Sequence, residues 1–234
     1  MSVSITAVRG VPTVREGDDL CELLLAALSG QGLALEPGDV VVVTSKVVAK
    51  AEGRTQRVED TEAAKVELVE REATRVLRRR GALRITETVH GFVNANAGVD
   101  LSNSEPGVAV LLPRDPDRSA RRIRADLRRR AGVDVAVIIT DTVGRAWRRG
   151  VADVAIGVAG LVAVLDLRGT RDAYGRLLEA TEVAIADEVA AAANLALAKA
   201  AGTPFAIVRG LDTGLLGDGS GADLVRPPDE DLFR

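Results

Sequence analysis

The chain is short of the side chains that most often carry chemistry. Its 234 residues include one cysteine, Cys21, and one histidine, His90. A single thiol excludes an internal disulfide, and the two scarcities together exclude a zinc site built on several thiolates or imidazoles. Any metal must sit on oxygen ligands, which restricts it to hard cations such as Mg²⁺, Mn²⁺ or Ca²⁺. Aromatics are 2% of the residues while hydrophobic residues reach 47%, so alanine, valine and leucine must build the core. No apolar run is long enough to span a bilayer, and the N-terminal MSVSITAVRG lacks a signal-peptide pattern. The expectation is a soluble cytoplasmic protein with no membrane partner. A formal net charge of -3 gives no reason to expect nucleic acid. The arginines between Arg121 and Arg130 read as a solvated helix face, since no aromatics interleave with them. The phosphate-cradling P-loop motif is absent, and the cluster Gly217, Gly219, Gly221 follows no strand-to-helix start of a dinucleotide site.

What is present centres on Val133 to Gly157. Val133 to Ile139 reads as a strand buried on both faces, ending at Thr140-Asp141-Thr142. A polar loop with Gly144, Arg145, Trp147, Arg148 and Gly150 follows, then a second apolar run, Val154 to Val158. A carboxylate at a strand tip is held by rigid backbone and still reaches solvent. With arginines beside it, it suits phosphate and metal handled together, or else it caps a turn among solvated arginines. Around Asp100, the residues Asn94, Asn96, Ser102 and Asn103 form either an Asx-rich turn or a second carboxylate that shares a hard cation with Asp141. Ser45, Lys46 and Lys50 follow another buried strand, Val40 to Thr44, as phosphate partners or as solubilising residues. His90 sits between two strand candidates, Ile85 to Val89 and Phe92 to Ala95, as a structural histidine or a catalyst.

Further strands are expected at 3–8, 108–112, 161–167 and 205–208. Helices are expected from Asp18 or Asp19 to Gly30, over 61–80, from Asp115 or Asp117 onward, and over the later part of 177–201. Residues 210–234 form a glycine-rich tail. Several strands are adjacent in sequence, which favours an α+β fold with a mixed sheet over a doubly wound one. One domain is expected over 1–234, with two subdomains as a variant of that reading.

The blocks TSKVVAKAEGR (44–54), HGFVNANAGVDLSN (90–103), TDTVGRAWRRG (140–150), DLRGTRDAYGR (166–176) and GDGSGADLVRPPDEDLFR (217–234) resemble, in order, motifs of the coenzyme F420-0:L-glutamate ligase family. The resemblance covers nearly the whole chain. It implies an α+β fold with a large mixed sheet and an intertwined homodimer. It also implies a GTP-dependent ligase that uses Mg²⁺ or Mn²⁺, with K⁺ as a further candidate ion. The lactyl carboxylate of F420-0 is activated as an acyl phosphate, the amine of L-glutamate attacks it, and further glutamates join through γ-linkages. Carried over by position, Asp100 and Asp141 match metal carboxylates and Thr142 a ligand of a second metal. Val11, Pro12, Thr13, Val14, Ser45, Lys46, Lys50 and Asn103 match the nucleotide site. Arg145 would offset phosphate charge, and His90 or a metal-bound hydroxide would take the amine's proton.

Two positions depart from the pattern. Ala198 stands where archaeal members carry a metal-binding glutamine, which leaves the adjacent Lys199 to meet the phosphates or a neighbouring group or water to replace the ligand. The usual GQTD is Gly150-Val151-Ala152-Asp153. Actinobacterial members carry a fused nitroreductase-like domain, expected to be absent or removed here. The alternatives are a related carboxylate–amine ligase with another acceptor, or a catalytically silent nucleotide-binding partner of a redox enzyme.

Overall fold

The computed structural model describes residues 2–102, 105–197 and 202–232. Its main sheet is built from β1 (Ser4–Val8), β2 (Val40–Thr44), β8 (Ala136–Gly144), β9 (Val151–Ala159) and β12 (Phe205–Arg209), in the order β1-β12-β2-β8-β9. Only the β2–β8 pair is parallel; the other three pairs are antiparallel. The sheet is therefore mixed, and the architecture is α+β, as the adjacent strands of the sequence require.

Alternation along the strands divides the core. Val41, Val43, Val137, Ile139 and Phe205 face one apolar cluster with Leu24 and Leu28 of α1 (Leu20–Gly30) and Ile123 and Leu127 of α4 (Pro116–Ala131). Val40, Val42, Ala136, Ile138 and Val208 face the other, beneath Ile185, Val189 and Ala193 of α5 (Ile185–Leu197). Both faces of the central strands are thus buried, which explains their unbroken β-branched runs. The helix starts are encoded locally. Asp19 accepts the backbone N–H of Cys21 and Glu22, and Asp115 accepts that of Arg118 ahead of Pro116.

Smaller sheets lie alongside. A two-stranded ladder joins β3 (Thr55–Arg57) to β7 (Val108–Val110), and a three-stranded one joins β4 (Ala73–Arg80), β5 (Leu83–Thr88) and β6 (Val93–Ala95). The helices α2 (Ser45–Ala51) and α3 (Glu62–Glu72) flank them, and β10 (Leu165–Asp166) pairs with β11 (Glu182–Val183).

Several elements differ from expectation. The helix expected over 61–80 stops at Glu72, and Ala73–Arg80 turns into β4. The ladder to β5 overrides the helical charge pattern there, because pairing satisfies backbone groups that a solvated helix of weak amphipathicity would gain little by burying. The strand expected at 161–167 shrinks to two residues. Ser45 and Lys46, which follow β2 as expected, form the first turn of a helix not expected from the sequence, α2. Finally, β8 does not end at Thr140. It runs on to Gly144 because β9 pairs with it as far as Gly144↔Val151, so Asp141 sits within a hairpin strand rather than at a tip.

Candidate active site

The parallel ladder of β2 and β8 brings Thr44 opposite Thr140. The next residues, Ser45 and Asp141, are separated by 96 positions in sequence yet meet in a hydrogen bond: the Ser45 hydroxyl donates to Asp141 Oδ1 at 2.8 Å. Asp141 continues the parity of Val137 and Ile139, so its carboxylate sits at the rim of the α1–α4 core. Burial pushes its pKa up to about 6, aided by the nearby charges of Asp100 and Asp153 and opposed by the Ser45 and Thr142 hydrogen bonds. No ion pair with a cation reaches it among the described residues.

Asp100 arrives from a different element. Its backbone forms two hydrogen bonds with Val110, at 2.8 and 2.9 Å, which hang it on the end of β7. The turn before it, Asn96-Ala97-Gly98, is left-handed at all three residues. Non-glycine residues there cost about 1–2 kcal/mol each, so tertiary contacts must hold them. They do: Thr86 Oγ1 accepts the Ala97 N–H at 2.8 Å, and Asn96 Oδ1 accepts that of Arg84 at 3.0 Å. The Asp100 carboxylate meets Lys46 Nζ at 2.7 Å and accepts the Ser102 N–H at 2.6 Å. Burial raises its pKa, but those two partners outweigh burial and hold it below the usual carboxylate value. Lys50, one turn along α2 from Lys46, is pushed below the usual lysine value by burial and by Lys46, against Asp100 and Glu105.

Thr142 donates to Asp153 Oδ1 at 2.7 Å, directly across the β8–β9 ladder. Asp153 is buried, and it is the acid to which no role was attached from sequence. Only the hairpin register reveals it: with β8 paired to Gly144, Asp153 must face Thr142.

The other expected residues are placed apart from this group. Val14 is buried and Val11 packs beside it in the α1–α4 core, while Pro12 and Thr13 are exposed. This segment leads to Gly17, whose N–H bonds the Ala51 carbonyl at the end of α2. Arg145 is exposed in the hairpin loop, donating to the Arg149 carbonyl. His90 Nε2 bonds the Arg114 carbonyl at 3.0 Å, and its ring stacks on Phe92. No hydrogen bond or ion pair among the described residues joins His90 or Arg145 to the carboxylates. Asn103, Ala198 and Lys199 lie outside the described residues.

Ser45, Asp100, Asp141, Thr142 and Asp153 offer only oxygen donors. That set fits a hard cation: two carboxylates flank the position, and the half-buried Asp141, with no ion pair among the described residues, would be relieved by positive charge. The described residues hold no cluster of three or more acidic, histidine or cysteine ligands, so such an ion would draw its remaining ligands from hydroxyls, water and substrate.

Fold and site together define an α+β protein whose acid–hydroxyl–lysine centre lies where β2 ends beside its parallel neighbour β8. The family is narrower. The model of the F420-0:gamma-glutamyl ligase family matches residues 10–210, and the chain belongs to that family. It is 42% identical to the coenzyme F420:L-glutamate ligase of Methanothermobacter thermautotrophicus, with all of both chains covered. It is 44% identical to that of Methanopyrus kandleri, over 94% of this chain and 93% of the relative. The Archaeoglobus fulgidus protein of that name is 41% identical over 100% and 97%.

Proposed function

We propose that this protein joins L-glutamate to coenzyme F420-0, using GTP and Mg²⁺ or Mn²⁺ through an acyl phosphate, and then extends the product through γ-linked glutamates. The observation that carries the reading is Asp141, a carboxyl whose pKa burial raises to about 6 and which has no cation partner among the described residues, set beside Asp100, Ser45, Lys46 and Lys50. Family membership supplies the substrates.

A carboxylate is a poor electrophile, so phosphoryl activation must precede amide formation, and several anions must be gathered at one place. Asp100 and Asp141 would hold the divalent ion, with Thr142 and Asp153 beyond them; bound there, it would neutralise phosphate charge. Lys46 and Lys50 add two ammonium groups on one face of α2, aimed at the same place. Ser45 fixes the orientation of the Asp141 carboxylate through its hydroxyl proton. The 11–14 segment, packed beside α1, is the proposed wall for the nucleotide base. On the family resemblance we also propose a homodimer, for which the exposed Trp147 and Val151 of the β8–β9 hairpin offer apolar surface.

Mass analysis of products from purified protein, F420-0, L-glutamate, GTP and Mg²⁺ tests the reading. Glutamyl-extended F420 with GDP release is the expected result. Turnover of GTP with no glutamyl product would transfer the protein to a different acceptor, and no turnover at all would leave it a silent binding subunit.

A further inference from the structure

A second polar cleft, of about 260 Å³, lies beside the β5–β6 turn, and Asp100, Asp141 and Asp153 are not among its lining residues. Its charged walls are Arg54, Arg71, Glu72 and Arg114, and its floor includes Thr88 and His90. Three guanidinium groups thus accompany one carboxylate. Arg54 is committed, bonding Glu72 at 2.8 Å and the Leu112 carbonyl at 3.0 Å. Arg71 bonds only the neutral Gln56 side chain, and the Arg114 guanidinium enters no ion pair among the described residues.

The floor carries an unmet demand. Thr88 is 3% exposed, and both its hydroxyl and His90 Nδ1 are buried without a hydrogen-bond partner among the described residues. A buried polar atom left unpaired costs about 1–3 kcal/mol, so a ligand or water that supplies the bond is favoured. The tautomer of His90 follows from its other nitrogen. A carbonyl can only accept, so Nε2, bonded to the Arg114 carbonyl, carries the proton. The neutral ring therefore presents a lone pair at Nδ1, and a protonated ring presents an N–H donor there.

We propose that this cleft is an oxyanion site, taking one carboxylate or phosphate group between Arg71 and Arg114, and that His90 takes up a proton at Nδ1 when the anion binds. Guanidinium forks match the planar oxygens of such groups. The volume suits a group or a small acid; nucleotide-sized and larger ligands fill pockets of about 300–1,000 Å³. The site also lies close to the proposed chemistry. Ala97 lines the cleft and is three residues before Asp100, a span of at most about 10 Å of chain. A ligand anchored here by one anionic group can extend toward the carboxylates. The inference stands on the cleft alone and goes beyond the ligase reading.

Because His90 is the only histidine, one set of imidazole NMR signals reports the site directly. The full chain is titrated with inorganic phosphate and, separately, with L-glutamate at a fixed pH of about 6.5. Sodium chloride of equal ionic strength is the control. The expected result is movement of the signals toward the protonated position with phosphate or glutamate and not with chloride. Whichever acts at lower concentration names the source as phosphate or carboxylate. Arg71→Gln and Arg114→Gln alter exposed side chains and leave the fold intact; together they should weaken the response by about tenfold or more. Thr88→Val, which keeps the shape and removes the hydroxyl, should weaken it as well. Signals indifferent to both anions, or a response undiminished in the double arginine variant, would overturn the proposal. Asp141→Asn should respond like the wild type, so a protein that fails as a ligase can still show this site.

Discussion

Asp141 costs stability when the chain folds at neutral pH. Its carboxyl titrates near 3.8 when exposed and at about 6 in the folded protein. Since the folded value is raised, folding takes up a proton between those values. The penalty is absent below pH 3.8, grows as pH rises and is complete above 6, on the order of 3 kcal/mol. Asp141→Asn removes the charge while retaining the shape and the Ser45 contact. Thermal melts without added metal should therefore show the variant at or above the wild-type Tm at pH 7.5, with the gain lost at pH 4. Turnover at pH 7.5 should fall by about 10²-fold or more. A variant that melts higher yet keeps near-normal turnover would remove Asp141 from the proposed centre. Of this residue-scale picture, the nearness of Asp141 to Asp100 was readable in the chain, because both acids sit among small polar residues next to apolar strands. The Thr142–Asp153 contact was not, since it depends on a ladder register that no local pattern specifies.

The hairpin of β8 and β9 is the element on which the site depends. Its register shifts by one residue between Ile139 and Thr140, and the paired part beyond that bulge carries Asp141, Thr142 and Asp153. Just before the bulge on the partner strand, Gly157 lets α4 approach: a Cβ there would meet the Pro116 carbonyl oxygen at 2.5 Å and carbonyl carbon at 2.6 Å. Backbone cannot step aside as a side chain can. Gly157→Ala should cost about 1–3 kcal/mol, a fall in Tm of about 2–12 °C for a chain of this length. Differential scanning calorimetry measures it, and an unchanged Tm would show that α4 is not fixed against β9. The elements themselves were legible to different degrees. β2 and β8 announce themselves as unbroken β-branched runs, and α4 begins at an Asp-Pro pair that caps and starts a helix. β4 is hidden, because Ala73–Arg80 has four arginines and no clean alternation, and only its partner β5 makes it a strand. The length of β8 is hidden for the same reason: nothing in Thr142 to Gly144 marks a strand until β9 is laid beside it.

Across the whole molecule, the sheet is locked at the end opposite the site. Asp39, fully buried just before β2, accepts from Arg209 Nε at 2.7 Å and Nη2 at 2.8 Å, and Arg209 also pairs with Glu36. Arg209 closes β12, so this cluster joins the last strand to the second. Removing one partner of a buried pair strands the other charge. Arg209→Met should lower stability by about 3 kcal/mol or more, read as a fall in the urea midpoint at an unchanged slope. Ser45 lies at the far end of β2, about 17 Å of strand away, so turnover per folded molecule should stay the same. A loss of turnover without loss of stability would show that the two ends of the sheet communicate.

The placement of β12 between β1 and β2 has a consequence in time. Ser4 pairs with Arg209, and Val8 with Phe205, so among the described residues β1 finds its sheet neighbour in a strand made long after it. At about 5–20 residues per second, the apolar face of β1 waits on the order of 10–40 s before its partner exists. During that interval β2 lacks the same neighbour and shows an open edge. A nascent chain of this design is therefore expected to leave those edges open to chaperones until β12 has been made, and the centre at Ser45 and Asp141 is not expected to become rigid before then.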